Sequence, residues 1–160
     1  MTKSFESFEA DFLRLTADIV HCTVTTVDAQ GRPRSRILHP IFEVRDGLPV
    51  GWVATNRTPI KVAHLAGNPH VACSYWNPAQ NTVMVDCVAS WVEDLETKRH
   101  VYDLFNTTPP PLGYDLSDLG SAENDLFTPL RLEPWRVQIM VFEGWDEKSL
   151  KPRTWRRDDV

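Results

Sequence analysis

The 160-residue chain has no excess of positive charge: 17 Lys and Arg stand against 22 Asp and Glu, a formal net charge of -5. No overall positive field would hold nucleic acid or an anionic membrane surface. A run of about 18 apolar residues is also missing, and "MTKSFESFEADFLRL" carries acids where a secretory leader would be apolar, so a cytoplasmic protein without a membrane span is expected. Cysteine is sparse. Cys22, Cys73 and Cys87 are odd in number, form no C-x-x-C pair and lie in strand-like runs, which predicts reduced core residues. The five histidines show no metal-ligand spacing, so no metal site is expected. G-x-S-x-G, Walker and G-x-G-x-x-G signatures are absent too, removing the nucleophile-elbow and phosphate-loop chemistries.

What is present is apolar material, 42% of the residues, enough for one core and a single domain spanning 1–160. No internal repeat divides it. Phe5, Phe8, Phe12 and Leu15 recur at spacings of three and four, which predicts an amphipathic helix over about residues 4–16. "HCTVTTVD", "RSRILHPIFEV", "VGWVAT", "HVACSYW", "NTVMVDCVASWVED" and "EPWRVQIMVFEGW" read as six strands. "LETKRHVYDLF" interrupts them with a helix. Six strands with short helices between them predict a mainly β fold, a six-stranded antiparallel barrel.

Val83, Val85 and Cys87 alternate with Met84 and Val88, and Val92 follows, so the fifth strand is apolar on both faces. One face fills the barrel; the other is expected to meet a helix or another subunit. Trp76, Trp91 and Trp135 fit either the core or such an interface. Residues 106–130, rich in proline and acids, read as a long surface loop, either a lid or a solvated excursion. "PRTWRR" is a basic amphipathic tail that either folds over the barrel or closes a partner's site.

The chemistry concentrates in "TNRTPIKVAHLAGNP". Thr58 suits an N-cap, Pro59 the first helical position, and Gly67 with "NP" a stop, so a helix over 59–66 follows. Lys61 then sits in its first turn, where the positive end of the helix dipole disfavours a cation. An anion bound by the free N–H groups, the Thr58 hydroxyl and Lys61 resolves that conflict; a solvated Lys61 is the alternative. In "GRPRSRILHP", Arg34 and Arg36 project on one face of a strand. Side by side they either share an anionic ligand or lie solvated on an exposed edge. The strand that carries them is expected to pair with the one ending at Thr55.

In order and spacing, "GRPRSRIL" and "TNRTPIKVAHLAGNPHV" resemble the FMN-binding split barrels related to pyridoxamine 5'-phosphate oxidase, from about His21 to Glu93. The resemblance implies that Arg36 and Lys61 hold the flavin phosphate. It places Thr55, Asn56 and Thr58 along the ribityl and phosphate path, and the backbone at Ile37 and Leu38 against the isoalloxazine ring. It also implies a homodimer with the cofactor at the interface, Thr82 reaching it from the partner subunit. His39, near the ring position, is either a structural histidine or a donor to a flavin carbonyl or substrate.

The chain departs from the oxidase in three places. "EPWRVQIMVFEGWDEKSLKPRTW" lacks the arginine- and histidine-containing substrate signature, "LHPI" replaces a basic residue, and "NT" stands where a glutamine is usual. The resemblance therefore implies an FMN-dependent oxidoreductase acting on another small molecule. An F420-dependent reductase, or a non-catalytic flavin- or haem-binding protein, is the alternative. No side chain stands out as catalytic, as expected where the cofactor carries the reaction.

Overall fold

The computed structural model describes residues 4–147 and 150–157. The expected span of 1–160 thus includes residues 1–3, 148, 149 and 158–160, which lie outside the described residues. Helix α1 (Glu6–Ile19) buries Phe8, Phe12 and Leu15, the stripe its spacing predicts, and places Glu6 and Glu9 in the first turn, where the helix dipole favours acids. Phe12 meets Phe5 and Phe42 edge-on at ring separations of 5.4 and 4.9 Å. Each such buried ring contributes about 2–3 kcal/mol.

Eight strands, rather than the expected six, form one antiparallel sheet: β1 (Cys22–Val27), β2 (Pro33–Leu38), β3 (Ile41–Arg45), β4 (Leu48–Val53), β5 (His70–Trp76), β6 (Thr82–Trp91), β7 (Leu130–Met140) and β8 (Arg153–Arg156). The order is β2-β1-β5-β6-β7-β4-β3, with β8 paired to β7. Two events raise the count. The run "RSRILHPIFEV" breaks at His39–Pro40, because proline donates no ladder hydrogen bond. The tail "RTWR" adds β8, whose Trp155 is 3% exposed and packs on Phe5 at 4.9 Å.

The break corrects the expected pairing. β2 pairs only with β1, and it is β3 that joins β4. The sheet curls without closing, and its split lies between β2 and β3, where the chain itself turns the corner.

Pro134 is tolerated inside β7 because a bulge falls there: Asp86 faces Arg136 while Cys87 faces Pro134, leaving Trp135 as the extra residue. Inward side chains of β1, β5, β6 and β7 build one core with α1, and all three cysteines are buried free thiols. A second cluster joins Ile41, Val50 and Trp52 to Val101 and Phe105 of α3 (Leu95–Thr107) and to Leu116, Ala122 and Phe127. Residues 108–129 are therefore anchored at three points rather than lying free on the surface, and Val92 belongs to this cluster rather than to the outward face. Their path turns at Gly113, where a Cβ would sit 1.9 Å from the Thr108 carbonyl oxygen, so no side chain fits.

Candidate functional site

Helix α2 (Pro59–Gly67) follows β4 and packs against β1 at the split. Thr58 takes the N-cap position in extended conformation, but its hydroxyl makes no capping bond. Pro59 has no N–H, and the Val62 N–H already donates to the Thr58 carbonyl. Among the described residues, the Ile60 and Lys61 amides and the Thr58 hydroxyl thus remain as free donors of the first turn.

Lys61 is only 8% exposed. Its Nζ donates to Thr55 Oγ1 at 2.5 Å, and burial followed by the nearby Arg36 charge lowers its pKa. Arg36 projects from β2 and donates through Nη1 to Thr26 Oγ1 at 3.0 Å. Its own pKa is lowered by burial and then by Arg34. Hydroxyl groups are the only side-chain partners of Arg36 and Lys61 among the described residues, and no carboxylate joins them. Buried cations held next to like charge are costly unless an anion arrives.

Thr26, itself 3% exposed, also lies 2.8 Å from His64 Nδ1. Between α2 and the β1–β2 hairpin opens a cleft of about 630 Å³, lined by Asp28, Arg32, Arg34, Ile60 and His64 among others. Arg32 is paired to Asp28 at 2.7 Å. Beyond Leu38 stands an aromatic wall: His39 lies 5.1 Å from His21 and 5.2 Å from Tyr114 by ring centroid. The Tyr114 hydroxyl donates to the Ala54 carbonyl at 3.2 Å, one residue before Thr55. Among the described residues His39 Nε2 is buried without a hydrogen-bond partner; burial depresses the pKa of this imidazole, opposed by its bond to the Leu112 backbone.

The structure thus brings Arg36, Thr55, Thr58 and Lys61 to one place, with Ile37 (63% exposed) and half-buried Leu38 continuing along β2. Asn56 is exposed beside them. Thr82 is not part of this cluster: it opens β6, which β1 and β5 separate from β2 in the sheet. Two members escaped the sequence reading, Thr26 and His64. For His64 a signal was available, since it lies one turn beyond Lys61; Thr26 is only one of several threonines of its strand.

Curled eight-stranded sheets of this kind define the split-barrel class, and solved structures share the fold. A protein related to general stress protein 26, of the pyridoxinephosphate oxidase family, from Clostridium acetobutylicum superposes with a TM-score of 0.67 at 17% identity, covering 96% of each chain. A pyridoxamine 5'-phosphate oxidase-related, FMN-binding protein from Nostoc punctiforme gives 0.63 at 13% identity over 99% of each chain. A heme storage protein from Vibrio cholerae gives 0.56 at 22% identity, covering 82% of this chain and 91% of its own. No curated protein matches the sequence. The sequence profile of the pyridoxamine 5'-phosphate oxidase family matches residues 9–111, and the chain belongs to that family.

Proposed function

We propose that the protein binds FMN in the cluster at the split and acts as a flavin-dependent oxidoreductase on a small molecule. The observation that carries this reading is Lys61, a buried lysine with a hydroxyl partner, a like-charged neighbour and no carboxylate. A phosphomonoester supplies what this donor set lacks: Arg36 offers a planar bidentate contact, Lys61 a point charge, and Thr58 with the first-turn amides the remaining donors. When bound, the isoalloxazine provides the hydride chemistry. The chain's share is to hold the phosphate, lay the ring along Ile37 and Leu38, and limit access with His39 and Tyr114. No step of proton transfer is assigned to a side chain.

The outward face of β5, β6 and β7 supports a homodimer as the working form. Its cross-strand rows run Ala72, Asp86, Arg136; Ser74, Met84, Gln138; and Trp76, Thr82, Met140. The rows mix the apolar Ala72, Met84, Trp76 and Met140 with uncharged Ser74, Gln138 and Thr82, and Asp86 is already neutralised by Arg136 at 3.0 Å. Such a self-neutralised face suits an isologous contact, from which Thr82 would reach a partner's cofactor.

Titration of the purified protein with FMN tests the reading. Flavin absorption that travels with the protein, and that weakens by about 1.5–3 kcal/mol for Arg36→Ala or Lys61→Ala, is the expected result. Unchanged affinity in both variants refutes the phosphate assignment. A Soret band, or a deazaflavin spectrum on F420 addition, in place of flavin binding would redirect the cofactor, and turnover with a reduced nicotinamide donor separates an enzyme from a carrier.

A further inference from the structure

We infer that His64 is a positioning residue of the anion site, acting through Thr26 on Arg36; the inference rests on the site proposed above and adds a residue to it. The proton inventory of Thr26 carries the argument. Its hydroxyl has one proton and two lone pairs. One lone pair accepts from Arg36 Nη1 at 3.0 Å. The remaining proton belongs to a group 3% exposed and requires an acceptor. His64 Nδ1, at 2.8 Å, is that acceptor. The imidazole proton is thereby placed on Nε2, and His64 is the neutral Nε2–H tautomer.

The consequence reaches Arg36. With its proton committed to His64, the Thr26 oxygen can present only lone pairs toward β2, so it holds the guanidinium rather than opposing it. Arg36 is a long side chain on an edge strand, and immobilising it in advance removes an ordering cost from anion binding. The neutral tautomer also adds no further cation beside Arg34, Arg36 and Lys61. Because His64 lines the cleft, its Nε2–H is an additional neutral donor on the side where Arg34 stands.

Two measurements test this. Nitrogen NMR of the imidazole in the unliganded protein is expected to show Nδ1 unprotonated in wild type and a mixture of tautomers in Thr26→Val; an Nδ1–H tautomer in wild type overturns the inference. FMN titration is expected to weaken about tenfold for His64→Leu and for Thr26→Val, with the double variant no weaker than either single one, since both break the same route. His64→Asn, whose Oδ1 can accept in place of Nδ1, should stay within about threefold of wild type. Wild-type affinity in His64→Leu, or a His64→Asn as weak as His64→Leu, overturns the assignment provided thermal melting shows each variant folded. If wild type itself takes up no FMN, the flavin reading fails, and the tautomer alone decides the role of His64.

Discussion

Lys61 is the single residue on which the proposed anion site turns. Its ammonium lies near Arg36, and among the described residues a hydroxyl is its only side-chain hydrogen-bond partner. Replacing it by methionine should therefore raise the stability of the unliganded protein by about 1 kcal/mol while abolishing its share of FMN affinity. Denaturant unfolding without cofactor measures the first and flavin titration the second; a Lys61→Met variant less stable than wild type would show that the cation is satisfied without a ligand. This residue was legible in the sequence because capping rules fix the helix start and so fix Lys61 in the first turn. Thr26 was not: a threonine in a Thr- and Val-rich strand has no pattern that marks its hydroxyl as a bridge, and only the packing of α2 on β1 reveals it.

Among elements, α3 is held to the sheet by an identifiable clasp. Glu43 of β3 accepts from Trp52 Nε1 at 2.8 Å and from His100 Nε2 at 2.9 Å, with Arg45 at 3.1 Å. Burial pushes the Glu43 carboxyl upward, but donation by His100 and Trp52 and the charges of His100 and Arg45 outweigh it, so its pKa lies below the ordinary glutamate value. A depressed carboxylate stabilises the fold above its unfolded pKa, and that stability is lost as pH falls through the folded value. Glu43→Gln is thus expected to cost about 1 kcal/mol at neutral pH and to flatten the acid limb of a stability profile below the ordinary glutamate range. Trp155 makes a second clasp, closing β8 over Phe5. Trp155→Ala should destabilise by about 3–5 kcal/mol in urea unfolding, whereas a solvated tail would give almost nothing.

Strand periodicity made the order of elements and the helix at 59–66 readable, while the strand count was not. Pro40 splits a single strand-like run, and four residues of tail become a strand because β7 runs beyond its pairing with β4 and meets β8 along Arg136–Ile139. The anchoring of residues 108–129 was equally hidden, since Leu116, Ala122 and Phe127 follow no regular period and find their places through α3.

For the whole molecule, the outward rows on β5, β6 and β7 make a claim about assembly. Sedimentation of the 18.3 kDa chain is expected to give a dimer, and Met84→Arg, which sets a charge in the middle of that face, should yield monomers that retain their fold but bind FMN at least about tenfold more weakly. A monomeric wild type, or monomers with full flavin affinity, would remove the shared site. No helix among the described residues is long and apolar enough to cross a membrane.

The buried lysine also carries a consequence for drift. Most functional residues are tolerated by a fold, so after a function lapses they decay slowly and at random. Lys61 is expected to differ, because neutral replacements there should relieve a cost. In a lineage that ceased to bind an anionic cofactor, selection for stability would erase this position early, ahead of Thr55 or Thr58, whose hydroxyls cost the fold little. If the proposed site is filled, the charge at Lys61 beside Arg36 is kept by the anion rather than by the fold.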